Sequence, residues 1–263
     1  MSLNLLILSG AGIFGLLLGS FANVVIARIP SGGSVVAPPS ACPQCGHRIR
    51  ARHNVPLVGW LVLRARCYDC SAPISYRYPV IEAIMGVAFA LCVWVTGVSP
   101  ELPLLLSVVF FTVVLSAIDL EVRRLPNTLT AAFALATLVC IALASWLHGD
   151  TGALLRASIG ALGLGAFYLM AWLVIPKGMG LGDVKLAPSL GAVLAWFGWP
   201  QFFVGAIAAF FWGSIVGLVV MATTRRRHGV AIPFGPWMFA GTWTGLVAGV
   251  PVTNWYLGVA GLS

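Results

Sequence analysis

Two aspartates, Asp119 and Asp183, stand where apolar runs meet their loops, in a chain with only seven carboxylates. A carboxylate at the edge of hydrocarbon is costly to keep charged, so it needs a partner or a purpose. Two such groups brought together cannot both ionise comfortably and share a proton. One can then act as general base on a water while the other, protonated, polarises a peptide carbonyl. Glycines at Gly178, Gly180 and Gly182 let the backbone approach Asp183, so an extended substrate has room beside it. That combination points to an aspartyl protease. Taken singly, each aspartate has a plainer use: an ion pair of Asp119 with Arg123, four residues on, and of Asp183 with Lys185 or Lys177.

A second constellation is Cys42-Pro43-Gln44-Cys45 followed by Cys67-Tyr68-Asp69-Cys70. Two short Cys-x2-Cys turns bring four thiolates to a tetrahedral ion, the arrangement of a structural zinc ribbon. The alternative is four unligated or redox-active cysteines in a flexible loop. The segment around them, residues 30–78, is the only sizeable polar stretch, and its core is too small to fold unaided. Bound metal supplies the missing free energy. His47 and His53 in the same loop read as surface residues, and Cys92 and Cys140 inside apolar runs as small buried hydrophobes.

The elements that position these groups follow from composition. Hydrophobic residues make up 60% of the chain and charged residues 8%. That balance excludes an ordinary soluble domain and predicts an all-α polytopic membrane protein. Eight apolar runs predict eight transmembrane helices, at 3–27, 79–98, 102–118, 129–147, 152–175, 184–199, 201–222 and 232–250. The sixth is short, and only Pro200 separates it from the seventh. The first run has no basic residue before it and Arg28 after it, the reverse of a secretory leader, so it is expected to be retained with its N-terminus outside. Alternating the loops then places every basic residue except Arg156 on one side, the cytoplasmic one by the positive-inside tendency. Deleting any span before the last would move later basic clusters outside. Cytoplasmic thiols stay reduced, which favours metal over disulfides at the cysteine pairs. The expected organisation is a first helix at 1–27, a zinc-ribbon-like cytoplasmic loop at 28–78 and a seven-helix membrane core at 79–263. Both termini then lie outside, and both aspartates face the cytoplasm.

The net charge of +8 is accounted for by this topology and by attraction to anionic lipid headgroups. Nucleic acid is excluded as a partner, since the arginines are spread over several membrane-edge loops without interleaved stacking aromatics.

These residues resemble the bifunctional type IV prepilin leader peptidases. The resemblance starts with Gly19-Ser20-Phe21-Ala22-Asn23-Val24 and Arg28-Ile29-Pro30, and runs through both cysteine pairs with Asn54-Val55-Pro56 between them. It continues through Ile74-Ser75-Tyr76-Arg77-Tyr78-Pro79, Glu82, Ile118-Asp119, Leu125-Pro126-Asn127 and Gly178-Met179-Gly180-Leu181-Gly182-Asp183-Val184-Lys185-Leu186. It closes with Pro233-Phe234-Gly235-Pro236. The resemblance implies that Asp119 and Asp183 are the catalytic pair and that the substrates are prepilins or secretion pseudopilins with a short basic leader. It also implies that the new N-terminal residue is methylated by S-adenosylmethionine at a bacterial inner membrane. Asn23 and Glu82 are nominated for the methyl-donor site, interhelical hydrogen bonding being their other use. The stretch Arg50-Ala51-Arg52-His53 departs from the family, which has aromatics there, and Arg123-Arg124 is more basic than usual. No Rossmann fingerprint occurs, so a cofactor site must be built from loops and membrane-edge residues.

Rival readings are fewer than the motifs suggest. A presenilin-type protease is disfavoured by the cysteine loop and the shallow aspartates, and a peptidase without transferase activity by the four cysteines. A proton-coupled transporter would place carboxylates near the midplane, often within repeats. A non-enzymatic scaffold leaves both aspartates idle.

Overall fold

The computed structural model describes residues 3–175, 179–224 and 233–261. Lys177, Ile232 and the arginines at 225–227, used in the topology argument, lie outside the described residues, as does Gly178 beside Asp183. Helices account for the fold, and no extended strand forms among the described residues. They are α1 (Leu3–Arg28), α2 (Val58–Val62), α3 (Arg77–Thr96), α4 (Leu102–Val122), α5 (Asn127–His148), α6 (Thr151–Val174), α7 (Leu181–Phe197), α8 (Trp199–Thr224) and α9 (Gly235–Val259).

Each of the eight apolar runs carries one long helix. Six of these, α1, α3, α4, α5, α6 and α8, are long and apolar enough to cross a membrane. The α7 helix, at 17 residues, and α9 are not among the six. The break expected at Pro200 falls at Gly198, which ends α7 with φ of 151°.

The chain divides into two compact units, Met1–Val114 and Leu115–Ser263. In the first, α1 packs along α3 through small residues. A Cβ on Gly19 would lie 2.7 Å from the Cα of Glu82, so no larger residue permits this approach. The loop between the two helices has almost no apolar interior: of residues 29–78 only Pro56 and Gly59 are buried.

In the second unit α7 is central, packing against α5, α6, α8 and α9. Leu186, Ala187, Leu190, Val193 and Ala195 are each at most 1% exposed, which makes this short run the core of the unit. Its α6 neighbour comes close at paired glycines: a Cβ on Gly160 would meet the Gly191 carbonyl at 2.5 Å. Close backbone approach of this kind replaces the hydrophobic drive that helices lack in lipid. Arg156 also gains a role that charge counting could not supply. Its Nε donates to Ala195 O at 2.7 Å and its Nη2 to Trp196 O at 2.8 Å, satisfying carbonyls left open at the C-terminus of α7.

Candidate functional site

The second unit holds both aspartates. Asp119 lies in the last turn of α4, where Arg123 adopts a positive φ of 53° and reverses the chain. The following Leu125-Pro126 leads into α5. Asp183 lies in the first turn of α7, where a helix N-terminus favours negative charge. Its Oδ2 lies beside Gly180, the residue that caps the helix, 3.3 Å from where a Cβ on that glycine would stand. Both side chains are buried, Asp119 at 4% and Asp183 at 7% exposure. Elements 64 residues apart in sequence thus bring the two carboxylates within reach of each other's charge.

Neither expected ion pair forms among the described residues. Arg123 meets Asp119 through its backbone N–H, which donates to the Asp119 carbonyl at 2.9 Å. Lys185 donates to Asn127 Oδ1 at 2.8 Å, tying α7 to the start of α5. The Asp119 carboxylate instead accepts from the backbone N–H of Gly235 at 3.0 Å. Leu125 is wedged between the two glycines that flank the site. A Cβ on Gly182 would lie 2.8 Å from Leu125 Cβ, and one on Gly235 would lie 3.4 Å from its Cδ2. Tyr168 on α6, 1% exposed, stands close enough to Asp183 to feel its charge and packs against Phe234. Gly235, Leu125 and Tyr168 received no role from the sequence, although two of them sit in motifs that were singled out.

Gly235 yields a direct prediction. A Cβ there would lie 2.8 Å from Asp119 Oδ2, so Gly235→Ala must displace that carboxylate or its N–H donor. Misplacing a reacting group by about 1 Å costs about 10²-fold in rate. For an Asp119 that transfers a proton in catalysis, Gly235→Ala at matched folded abundance is therefore expected to lower kcat by roughly 10- to 100-fold. An unchanged kcat would show that Asp119 needs no fixed position.

The first unit holds the four cysteines. Their Sγ atoms lie within 4.8 Å of one another, and Cys42 and Cys70 stand 3.8 Å apart. A tetrahedron with bonds of about 2.3 Å to zinc has edges of about 3.8 Å, so the cluster fits such an ion. The two halves are built alike. Cys42 N donates to His47 O, Gly46 N to Cys42 O and Ile49 N to Ser40 O; Cys67 N donates to Ala72 O, Ser71 N to Cys67 O and Ile74 N to Ala65 O. Gly46 and Ser71 occupy the same left-handed position, at φ 73° and 59°. Backbone N–H groups of Cys45 and then Gln44 lower the Cys42 thiol to about 6, while Cys70 in the same cluster is pushed up to about 12. None of the cysteines is in a disulfide.

Beside this cluster, and still within the first unit, lies a cavity of about 430 Å³. Asn23, Glu82 and Ser20 line it from the helices, and Cys42, Cys67 and Trp60 from the loop. Both residues nominated for a methyl donor therefore face one space, within the size range of small-ligand sites. Where the resemblance predicts aromatics, Arg50 stacks 4.1 Å above the Tyr68 ring and pairs with Asp69 at 3.0 Å. His53 meets the same ring at 4.9 Å.

Residues 13–96 match the family model described as bacterial peptidase A24 N-terminal domain, and residues 106–222 match that of the type IV leader peptidase family. Several relatives bear the name prepilin leader peptidase/N-methyltransferase. That of Stutzerimonas stutzeri is 32% identical, over 95% of this chain and 93% of its own length. That of Myxococcus xanthus is 38% identical over 81% of this chain and 63% of its own. That of Aeromonas hydrophila is 34% identical over 93% and 92% respectively. No solved structure matches the chain.

Proposed function

Because the chain belongs to the type IV leader peptidase family, we propose that it removes the short basic leader of type IV prepilins or pseudopilins and then N-methylates the new N-terminal residue. What supports the first activity is the burial of Asp119 and Asp183 in one unit, where each lies within range of the other's charge. The ionised member of the pair takes a proton from a water whose oxygen attacks the scissile carbonyl carbon. The protonated member donates to the carbonyl oxygen. As the tetrahedral intermediate collapses, a carboxyl proton passes to the leaving nitrogen and the shared-proton state returns. Gly235 holds Asp119 in place through its N–H.

The transferase site proposed is the cavity of the first unit. S-adenosylmethionine supplies an electrophilic methyl group when bound. Asn23, Glu82 and Ser20 line the end made by α1 and α3. Zinc held by Cys42, Cys45, Cys67 and Cys70 would keep the loop wall of that cavity folded. The proposed setting is a bacterial inner membrane with eight spans and outer termini, the zinc loop and both aspartates facing the cytoplasm, where a basic leader would lie.

Membranes containing the full chain, incubated with a prepilin and radiolabelled S-adenosylmethionine, are expected to yield a pilin that lacks its leader and carries the label at its new N-terminus. Leader removal without label would leave only the peptidase. Label on an uncleaved chain would reverse the order of events proposed here.

A further inference from the structure

Asn23 spends both hydrogens of its side-chain amide on backbone. Its Nδ2 donates to Gly19 O at 3.3 Å and to Tyr78 O at 3.2 Å. Turning the amide over would set its oxygen against two carbonyls, so these partners fix which atom is which. The remaining atom, Oδ1, is buried and has no donor, on a residue only 4% exposed. One turn along α3 from Tyr78 lies Glu82, 8% exposed. Its Oε2 accepts the backbone N–H of Leu57 at 2.8 Å, and the Ser20 hydroxyl faces the same carboxylate. An ionised carboxylate has about four lone-pair positions, so at least two stay open. Asn23 and Glu82 line the same cavity. Its α1/α3 end therefore gathers open acceptors, a carboxylate among them; the Asn23 amide and the Ser20 hydroxyl are already engaged there, and Arg28, which also lines the cavity from α1, turns a guanidinium nitrogen to the Ser34 carbonyl at 3.0 Å.

From this geometry we infer that the α1/α3 end of the cavity is a seat for a protonated α-amine. An ammonium brings three donors and a compensating charge, which is what a buried carboxylate beside an orphan carbonyl oxygen lacks. The inference rests on the transferase reading of the cavity and says which end of a ligand goes where. Two amines have this chemistry: the amino-acid end of the S-adenosyl donor, and the free N-terminus of the cleaved substrate.

The test uses the zinc-loaded full chain in nanodiscs and reads binding rather than turnover. On the wild type, S-adenosylhomocysteine is compared with its N-acetyl derivative, and an apolar peptide beginning with a free amine with its N-acetyl form. The amine seat predicts that acetylation weakens one of the two ligands by about tenfold or more, the scale of a hydrogen-bonded charge. Which ligand loses affinity identifies the source of the amine. Glu82→Gln keeps an oxygen for the Leu57 N–H and removes the charge, so the preference for that amine should shrink to about twofold or less. Equal binding of free and acetylated forms of both ligands by the wild type overturns the inference and leaves Asn23 Oδ1 to a buried water. So does an undiminished preference in Glu82→Gln. If S-adenosylhomocysteine does not bind the zinc-loaded chain at all, the transferase reading itself fails, a result distinct from binding without amine preference.

Discussion

Asp119→Asn and Asp183→Asn are each expected to lower prepilin cleavage by about 10³-fold, while methylation of a previously cleaved pilin continues in the same membranes. The substitutions keep shape and an acceptor oxygen, so the amide in Asp119→Asn can still take the Gly235 N–H and the local fold has no reason to fail. What disappears is the ability to accept and return a proton. An amide cannot act as the base on water, and its partner no longer shares a proton with a second carboxyl. The two activities separate because Asp119 and Asp183 belong to the second compact unit, whereas the cavity and cysteine cluster belong to the first. Kinetics on membranes at matched protein abundance, with leader removal read by mass and methyl transfer by label, decide the matter. Cleavage persisting near wild type in either variant would make that aspartate a structural residue. Loss of both activities together would mean that the units do not work independently.

Among the described residues, neither aspartate forms the ion pair its neighbours in sequence suggest, for a reason that sequence spacing cannot show. A lysine two residues away looks like a partner for Asp183, yet Lys185 turns to Asn127 of another helix. Arg123, four residues beyond Asp119, is in the reversal that ends α4 and offers its backbone rather than its guanidinium. The partner that does serve Asp119 is Gly235, 116 residues away, a distance over which no local pattern carries information. The aspartates themselves were legible because charge at a membrane edge is rare. The eight helical segments were legible because hydropathy and the clustering of basic residues are coarse signals. Hydropathy also marked α7 as merely another span, whereas packing makes it the buried centre of its unit, carrying Asp183 at one end and capped by Arg156 at the other. Its 17 residues and the exclusion of α9 leave six helices that meet the length and apolarity a crossing needs. The cysteine pairs announced the four-thiol cluster, whereas the likeness of the segments after them, Gly46-His47-Arg48-Ile49 and Ser71-Ala72-Pro73-Ile74, shows in sequence only as the shared isoleucine. It escaped notice because only the shared hydrogen bonds make Gly and Ser equivalent there.

Removing the metal is expected to have the second large effect. The loop that carries the cysteines is about as poor in core as a folded segment can be, with only Pro56 and Gly59 buried between residues 29 and 78. Its two halves are held by short backbone turns and by whatever joins the four thiolates. Structural zinc contributes about 10–16 kcal/mol in small domains, far more than two buried residues provide. Cys42 and Cys67 also line the cavity, so loosening the cluster removes one wall of it. Stripping zinc with a chelator, or Cys42→Ser with Cys67→Ser, is therefore expected to lower methyl transfer by about 100-fold or more. Trypsin should then cut at arginines of the loop that it spares in the loaded chain. Leader cleavage per surviving molecule should fall much less, because no cysteine of the cluster belongs to the unit that holds the aspartates. The protease pattern separates two roles for the metal. If the stripped loop becomes sensitive as methylation is lost, the metal acts by holding the fold. A loop that stays resistant while methylation disappears would put the metal in the transfer site itself, and a stripped chain that keeps both resistance and methylation would show that the cysteines hold the loop without any ion.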